Sequence, residues 1–446
     1  MISTIKYAIS YSLLRCVIFP LSLLPYSMLR SLGRFIGTAG YLFAKKPRKQ
    51  TLNNLALARS LDLSNDDAHT IAKESFQNLC VVTLELFRLG RRRCLDDIIS
   101  CENPKVLERL CSDEKGFVVF CAHQANWELT FLHMSSYGYG VGIGKPQKNP
   151  FLYRWLLGIR EMFGGTIVDH KNALSPCVKA LKQGHLVGIV ADQGFPESSY
   201  STDFFGTKAS SSMAPALLAY KADANLCVAT IYRNDSGNYT IRYSEPIVPD
   251  TSKPFKEEVP AIMDDAIKIV EKGISEHPGQ WLWQHKRWKQ HQHHHAKRQY
   301  RYDTVGIVMP KERKFFDIVN KALPLFRAIY PKGMFSIMVP EEYREEVSFD
   351  GAKILPYKTI SDALIDDYFL QIVFDFSGAD SVVGHYKRFS IAGAIPLKSM
   401  VEKTLSHEYF LEDLATTIIE SHRTKAEVFS DIGHSPKINP IFPLEA

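Results

Sequence analysis

A histidine and a glutamate are separated by four residues in the segment His123-Gln-Ala-Asn-Trp-Glu128, which follows the apolar run 117–121. An imidazole oriented by a carboxylate can take a proton from a hydroxyl group as that hydroxyl attacks an activated acyl group. The pattern therefore predicts acyl transfer, with His123 as the general base and Glu128 as the group that fixes its tautomer. The alternative is a helix-start histidine beside a solvated glutamate.

The spacing of the two residues limits where they can stand. Five helical steps of roughly 100° each separate two side chains by about 140°, so His123 and Glu128 do not share a face of one helix. They can meet only if His123 lies in a turn before a helix and Glu128 lies in the first turns of that helix. A strand, a short turn and a helix are therefore the predicted frame.

The surrounding sequence alternates short apolar runs with helical patterns, after an amphipathic helix predicted at 68–89. This alternation predicts an α/β domain with a mostly parallel sheet, in which the active site lies at the C-terminal ends of the strands. The predicted strands are 116–121, 138–143, 165–168 and 186–191, and the predicted helices begin near Asn126 and cover 149–163 and 173–183.

Cations and a further acid occur near this motif. Lys145 and Lys148 precede the helix 149–163, and Arg160 lies near its end. Such a set fits anionic substrate groups such as phosphates, and the planar fork of an arginine fits them best. Asp192 ends an apolar strand, where it could line the site or hold Arg160 in position. Solvated cations and a structural salt bridge are the alternatives for these residues.

The N-terminal segment suits an anionic surface, because the first 61 residues contain nine Lys or Arg and no Asp or Glu. Apolar stretches at 7–29 and 35–44 end in a basic cluster at 45–49, an order that predicts a membrane anchor rather than a cleaved signal. Pro20 and Pro25 leave a single span and a re-entrant hairpin both open. A buried core helix is the third possibility.

The rest of the composition excludes several classes of protein. The eight cysteines form no CxxC pair and no zinc-ligand pattern, which predicts reduced thiols and no metal site. The chain contains no GxSxG, Walker, HExxH or dinucleotide motif, which argues against serine hydrolases, nucleotide triphosphatases and zinc proteases. No cofactor is expected.

With these residues in view, the chain resembles the lipid A secondary acyltransferases, the lauroyl- and myristoyl-transferase branch of the lysophospholipid acyltransferase superfamily. The match covers about residues 1–290 and depends on several blocks in a fixed order. After the N-terminal anchor, the blocks are Arg48 with Asn53-Asn54-Leu55, the segment 123–128, Pro146-Gln-Lys-Asn-Pro150, Arg160-Glu-Met-Phe-Gly-Gly165, Asp192-Gln193 and 280–287.

The resemblance implies transfer of a fatty acyl chain from acyl carrier protein to a hydroxyl of a 3-hydroxyacyl chain on a lipid A precursor. It implies that His123 is the base, that Glu128 is its orienting partner, and that Arg160 and Asp192 are further functional positions. The implied location is the bacterial inner membrane, with the catalytic domain on the cytoplasmic side and no nucleic-acid partner. Another phosphoglycolipid or glycerophospholipid acceptor, or a non-catalytic membrane or nucleic-acid binding protein, are the alternatives.

Two features depart from the pattern of this family. Gly144-Lys145 stands where relatives carry an arginine before the proline, which leaves the phosphate contacts open but preserves positive charge. In addition, roughly 145 residues follow the last block and read as a small α/β domain. The predicted organisation is an anchor at 1–45, an acyltransferase-like domain at 46–289, a basic His-rich linker at 290–300 and an accessory domain at 301–446, whose removal is expected to spare the chemistry.

Overall fold

The computed structural model describes residues 2–112, 115–195, 198, 200–288, 290, 291, 300, 301, 304–331, 333–399 and 402. The chain divides into two compact units. The first contains the described residues of 1–48 and 58–287, and the second contains those of 49–57 and of 288 onward. Strands alternate with helices in both units, which confirms the predicted α/β class.

The strands of the first unit are β1 (Ile99–Cys101), β2 (Phe117–Cys121), β3 (Gly140–Gly144), β4 (Thr166–Asp169), β5 (Leu186–Val190), β6 (Ser201–Phe204), β7 (Thr207–Ser210), β8 (Asn225–Arg233) and β9 (Tyr239–Tyr243). Within the described residues, β6 and β7 form a separate antiparallel hairpin, and the others form one sheet in the order β1-β9-β8-β2-β5-β3-β4. Neighbouring strands of this sheet are parallel except for β8 and β9.

Helices cover the sheet and form the N-terminal segment. Their bounds are α1 (Ile2–Leu21), α2 (Tyr26–Phe43), α3 (Lys45–Leu57), α4 (Asn65–Leu89), α5 (Pro104–Ser112), α6 (Glu128–Ser135), α7 (Pro150–Arg160), α8 (Leu174–Lys182), α9 (Ala214–Ala222) and α10 (Phe255–Glu276). Short 3-10 helices occupy Arg59–Leu61, His170–Asn172 and Pro278–Gln280. The last residues of α3 belong to the second unit.

Strand β2 lies in the interior of the sheet between β5 and β8, and all five of its residues are buried. A strand covered on both faces needs apolar side chains throughout, which explains the continuous run Phe-Val-Val-Phe-Cys. Phe117 pairs with Leu186 and Cys121 pairs with Val190, so β2 and β5 end level with each other. The residues that follow the two strands therefore leave the sheet at the same edge.

The predicted strands and helices between 116 and 191 each correspond to an observed element, with ends that differ by at most a few residues. The helix predicted near Asn126 begins at Glu128, because Ala125 has a φ of 45° and interrupts the helical path. Strands β8 and β9 and their antiparallel pairing were not predicted from the sequence. Pairing between strands depends on contacts across the sheet, which periodicity along the chain does not record.

Helix α2 packs closely on α4 through a row of small residues. Leu29, Gly33, Gly37 and Tyr41 are its buried residues, four positions apart along one face. A Cβ on Gly33 would lie 2.8 Å from the Val81 Cα, and a Cβ on Gly37 would lie nearer still to the backbone of α4. Only glycine at these positions allows the two backbones to approach so closely.

Apolar side chains are exposed on α1 and on the face of α2 that does not pack on α4. On α1, Ile5, Ile9, Leu13 and Val17 recur every four residues, so they form one stripe along the helix. On α2 the exposed apolar residues are Met28, Phe35, Ile36, Leu42 and Phe43. Among the described helices, none is both long and apolar enough to cross a bilayer.

The second unit contains the strands β10 (Gln290–His291), β11 (Tyr300–Arg301), β12 (Thr304–Val308), β13 (Met334–Pro340), β14 (Lys353–Tyr357), β15 (Ile372–Asp375) and β16 (Ala394–Pro396). Its helices are α11 (Arg313–Ile329) and α12 (Asp380–Phe389), with 3-10 helices at Glu341–Glu346 and Ile360–Ala363. The described strands β12 to β16 form a parallel sheet in the order β14-β13-β12-β15-β16. Most of the predicted linker 290–300 lies outside the described residues.

A short segment near the N-terminus completes the second unit. Residues 49–57, which the sequence assigns to a domain at 46–289, pack instead with the C-terminal unit. The Asn53 side-chain amide donates to the carbonyls of Tyr368 and Phe369 at 2.8 and 2.9 Å, and the Gln371 amide donates to Asn53 Oδ1 at 2.8 Å. Asn53 is fully buried. The second unit is therefore discontinuous in sequence, which the linear order of motifs could not reveal.

We expect Asn53→Ala to destabilise the second unit by about 1–3 kcal/mol, because it removes the bonds to the Tyr368 and Phe369 carbonyls and the buried acceptor of the Gln371 amide. Thermal unfolding of the full chain measures the effect. Asn320→Ala is the matched control, since the Asn320 side chain donates one bond, to the Glu346 carbonyl, at the surface. Equal unfolding temperatures for both variants would contradict the assigned role of 49–57. The expectation that removal of residues 301–446 spares the chemistry stays a prediction.

Candidate active site

His123 and Asp192 meet at the edge of the sheet where β2 and β5 end. The distance from His123 Nδ1 to Asp192 Oδ1 is 2.6 Å, and the His123 backbone N–H donates to Asp192 Oδ2 at 2.9 Å. Each residue stands two positions after the end of its strand, and those strand ends are paired. The parallel register therefore places the carboxylate beside the imidazole.

The Asp192 carboxylate is buried but well supplied with donors. Trp281 Nε1 donates to Asp192 Oδ2 at 2.7 Å, in addition to the two contacts from His123. Burial raises the pKa of this carboxyl, but the charge and hydrogen bonds of His123, with the Trp281 bond, lower it to about 2. The ionised carboxylate therefore stabilises the folded state above pH 3.8, the ordinary pKa of the group. This stabilisation is lost as the pH falls toward about 2.

The pKa of the His123 imidazole is shifted in the opposite direction, upward. Burial lowers its pKa, but the charge and hydrogen bond of Asp192, with the charge of Glu128, outweigh burial and raise the pKa above its ordinary 6.5. The side chain is 19% exposed, whereas that of Asp192 is 2% exposed. Nδ1 is occupied by Asp192, and Nε2, the other ring nitrogen, lies on the side of the ring away from that carboxylate.

The predicted pairing of Glu128 with His123 is wrong, because Glu128 binds Arg160. Arg160 Nε donates to Glu128 Oε2 at 2.8 Å, and Nη2 donates to Oε1 at 2.5 Å. The interpretation in which Asp192 holds Arg160 is wrong for the same reason. Glu128 begins α6 and points toward the end of α7, whereas the strand next to β2 supplies the acid for the imidazole.

Arg160 still stands close to the site. A Cβ on Gly144, the last residue of β3, would lie 3.8 Å from Arg160 Nη1. Burial lowers the pKa of the guanidinium, while the hydrogen bonds and charge of Glu128 more than offset this and raise it. Nη1 makes no hydrogen bond to a described residue, so it remains available to an anionic or carbonyl group.

Lys145 and Lys148 lie in the exposed loop between β3 and α7. Among the described residues, neither side chain makes a hydrogen bond or an ion pair. The loop follows Gly144 directly, so it begins beside Arg160 at the same edge of the sheet. Asn149 then starts α7 by accepting hydrogen bonds from the backbone N–H groups of Phe151 and Leu152. A role for the two lysines in substrate binding stays a prediction.

Two contacts of the site were not predicted as functional. Trp281 holds Asp192, and the Gln193 side-chain amide lies 3.3 Å from His123 Nε2. Gln193 follows Asp192 in the block Asp192-Gln193, and Trp281 lies in the block 280–287, but neither was assigned a role from the sequence. Trp281 is 89 positions from its partner, and sequence spacing carries no signal for such a contact. The Trp127 ring also lies against the imidazole, with 5.1 Å between centroids.

The mostly parallel sheet of this α/β unit places an imidazole held by a carboxylate at the ends of two adjacent strands, an arrangement that enzymes with a general base use. The model of the bacterial lipid A biosynthesis acyltransferase family matches residues 2–290. The chain belongs to this family. It is therefore an O-acyltransferase of lipid A and lipopolysaccharide biosynthesis, as the resemblance in sequence implied.

Individual relatives agree with this assignment at low identity. The lipid A biosynthesis lauroyltransferase of Escherichia coli K12 is 24% identical over 60% of this chain and 87% of its own length. The palmitoleoyltransferase of the same organism is 26% identical over 60% of this chain and 86% of its own length. The myristoyltransferase is 23% identical over 57% of this chain and 78% of its own length.

We expect Asp192→Asn to change both the rate and the pH dependence of acyl transfer. Because His123 must be neutral to accept a proton, transfer by the native chain should rise with pH through a midpoint above 6.5. Removing the carboxylate charge should move this midpoint to lower pH, and losing the oriented tautomer should lower the plateau by on the order of 100-fold or more.

The pH–rate profile of acyl transfer measures both changes. Asp169→Asn is the matched control, because Asp169 contacts His170 in a pair that is about two-fifths exposed. The control should keep the native midpoint and plateau. A native midpoint for Asp192→Asn would show that Asp192 does not set the charge state of His123.

Proposed function

We propose that the chain transfers a fatty acyl group from acyl carrier protein to the hydroxyl of a 3-hydroxyacyl chain on a lipid A precursor. The observation that carries the proposal is the His123–Asp192 pair, with Nε2 of the imidazole directed away from its partner. A base of this kind suits a substrate hydroxyl, which is not nucleophilic enough at neutral pH without loss of its proton. Membership of the family supports the lipid A acceptor.

The reaction follows from the position of the base. His123 Nε2 accepts the proton as the hydroxyl oxygen bonds to the thioester carbonyl carbon. Asp192 stabilises the imidazolium that forms. When the tetrahedral intermediate collapses, the carbon–sulfur bond breaks, and the proton passes from His123 to the thiol that leaves. Thioester and hydroxyl are consumed and ester and thiol are formed, so no acyl-enzyme is needed.

Glu128 contributes through Arg160 in this proposal. Its carboxylate fixes the guanidinium by two hydrogen bonds, from Nε and Nη2, which leaves Nη1 near Gly144 at the end of β3. Lys145 and Lys148 add positive charge in the adjoining loop. Together these cations suit a phosphate of the acceptor or of the carrier's prosthetic group, and Arg160 also suits the oxyanion of the intermediate. Glu128 is then a positioning residue for Arg160.

The proposed location is the cytoplasmic face of the bacterial inner membrane. Both substrates carry fatty chains, and the exposed apolar faces of α1 and α2 would bury area in a bilayer surface. Lys45 and Lys46 are exposed and follow α2 in sequence, where they would attract anionic headgroups. This arrangement supports an interfacial anchor.

The acceptor is tested by mass spectrometry of lipid A from cells that lack the chain and cells that regain it. We expect one added acyl chain on lipid A with the native chain and none with His123→Ala, which loses at least about 100-fold in rate. Glu128→Gln should lower transfer less at the same pH, because the imidazole keeps Asp192. His170→Ala is the control, since this histidine is exposed at β4.

The same measurement distinguishes lipid A from another phosphoglycolipid or glycerophospholipid as the acceptor. Unchanged lipid A together with a newly acylated phosphoglycolipid or glycerophospholipid would move the proposal to that acceptor. Native rates for His123→Ala in an assay with an acyl carrier protein thioester would overturn the role of the base.

We expect the double variant Phe35→Ser with Phe43→Ser to bind anionic vesicles several-fold more weakly than the native chain, because it removes two large apolar groups from the exposed face of α2. Co-sedimentation with vesicles measures the change. Val248→Ser is the control, since Val248 is 65% exposed in the same unit but far along the chain from α2. An equal loss of vesicle binding in both variants would show that the exposed face of α2 is not part of the membrane-binding surface.

A further inference from the structure

The turn that carries His123 contains a backbone conformation that its sequence disfavours. Ala125 has a φ of 45°, in the left-handed region where residues with a Cβ are uncommon. It is fully buried and stands between His123 and Glu128. An alanine persists in such a conformation only where its surroundings hold it there.

Buried hydrogen bonds hold the turn at Gln124 and Ala125. The Ala125 N–H donates to the Gln280 carbonyl at 2.7 Å, and the Asn78 side chain donates to the Ala125 carbonyl at 3.3 Å. The Gln124 side chain donates to the Gly273 carbonyl at 2.6 Å. These bonds come from α4, α10 and the residues after α10, so several elements converge on the turn.

Asn126 anchors the other side of the turn to an ion pair in the interior. Its side-chain amide donates to Glu85 Oε2 at 3.2 Å, and Arg30 Nε donates to Glu85 Oε1 at 2.6 Å. The Tyr239 hydroxyl donates to the same Oε2. Asn126 and Glu85 are almost completely buried. A buried carboxylate such as that of Glu85 is costly unless a cation pairs with it, and Arg30 is that cation.

The anchor is built on helices that are themselves closely packed. Arg30 lies on α2 and Glu85 lies on α4, and these two helices meet through Gly33 and Gly37. The position of Glu85 thus depends on the packing of these two helices and on the hydrogen bond from Tyr239 of β9. Asn126 directly follows Ala125, so the chain is bonded to Glu85 one residue after the left-handed position.

We propose that Asn126, held by the Arg30–Glu85 ion pair, is a positioning residue that keeps Ala125 in its left-handed conformation and so places His123 against Asp192. The inference rests on the proposed function of His123 as the base. It assigns to residues of α2 and α4 a part in the reaction that none of the sequence motifs indicated. Release of Ala125 to a negative φ would reorient the adjoining peptides and move the imidazole away from Asp192.

The direct test is Asn126→Ala, which removes the donor to Glu85 but leaves Glu85 paired with Arg30. We expect kcat to fall at least about tenfold with little change in KM, because misplacement of the base affects the reaction more than substrate binding. Asn103→Ala is the matched control: the Asn103 side chain makes two hydrogen bonds to the backbone of Tyr243 in the same unit, away from the turn.

A second variant separates positioning from general destabilisation. Glycine adopts a positive φ without the cost that alanine has. Ala125→Gly added to Asn126→Ala should therefore recover a substantial part of the lost kcat, although glycine increases the freedom of the unfolded chain. A merely structural role for Asn126 predicts no recovery. If Asn126→Ala does not fold, Glu85→Gln, which keeps an oxygen acceptor, takes its place in both measurements.

A readout independent of acyl transfer is the pH dependence of diethyl pyrocarbonate modification at His123, followed by mass spectrometry of its peptide. The native midpoint should lie above 6.5, and the midpoint of Asn126→Ala should fall as the imidazole leaves Asp192 and Glu128. Native kcat and a native midpoint in Asn126→Ala would overturn the proposal. A shifted midpoint in a chain that shows no acyl transfer even as wild type would instead overturn the proposed function and leave the positioning role standing.

Discussion

The parallel pairing of β2 with β5 is the constraint on which the site depends. It brings the two strand ends level, so that residues two positions beyond each end face each other across the edge of the sheet. Asp192 can remain ionised in the interior because His123 and Trp281 donate to both of its oxygens. A buried carboxylate without such donors would take up a proton or force a rearrangement. The imidazole receives its orientation from Asp192, and the charge and hydrogen bond of Asp192 are the larger contributions to its raised pKa.

Two carboxylates then perform different tasks within a short distance. Asp192 orients the base, and Glu128 holds Arg160 by a bidentate contact. The separation follows from geometry, since one acid continues a strand beside β2 and the other starts a helix that faces α7. In the proposed reaction, this division provides a proton acceptor and a separate cation. The charge of Glu128 nevertheless contributes to the raised pKa of His123.

The N-terminal helices connect this site with the rest of the molecule. One face of α2 packs on α4 through glycines and supplies Arg30 to the buried Glu85, and the other face exposes apolar side chains. The same helix thus belongs both to the proposed membrane surface and to the support of the catalytic turn. The chain that follows it enters the second unit, where Asn53 satisfies carbonyls near β15. Asn53 belongs to a block that also supported the family resemblance.

The sequence by itself determined the α/β class, the four central strands and their helices, the position of His123 at a strand end and the kind of reaction. These depend on local periodicity and on residue types close together in the chain, which a linear pattern records. The tertiary structure alone decided that Asp192 rather than Glu128 binds the His123 imidazole, that Trp281 binds Asp192, and that residues 49–57 join the second unit. Each of these outcomes depends on which strands are neighbours and on contacts between distant positions. Such contacts arise from packing across the sheet and between helices, and the spacing of residues along one chain does not encode them.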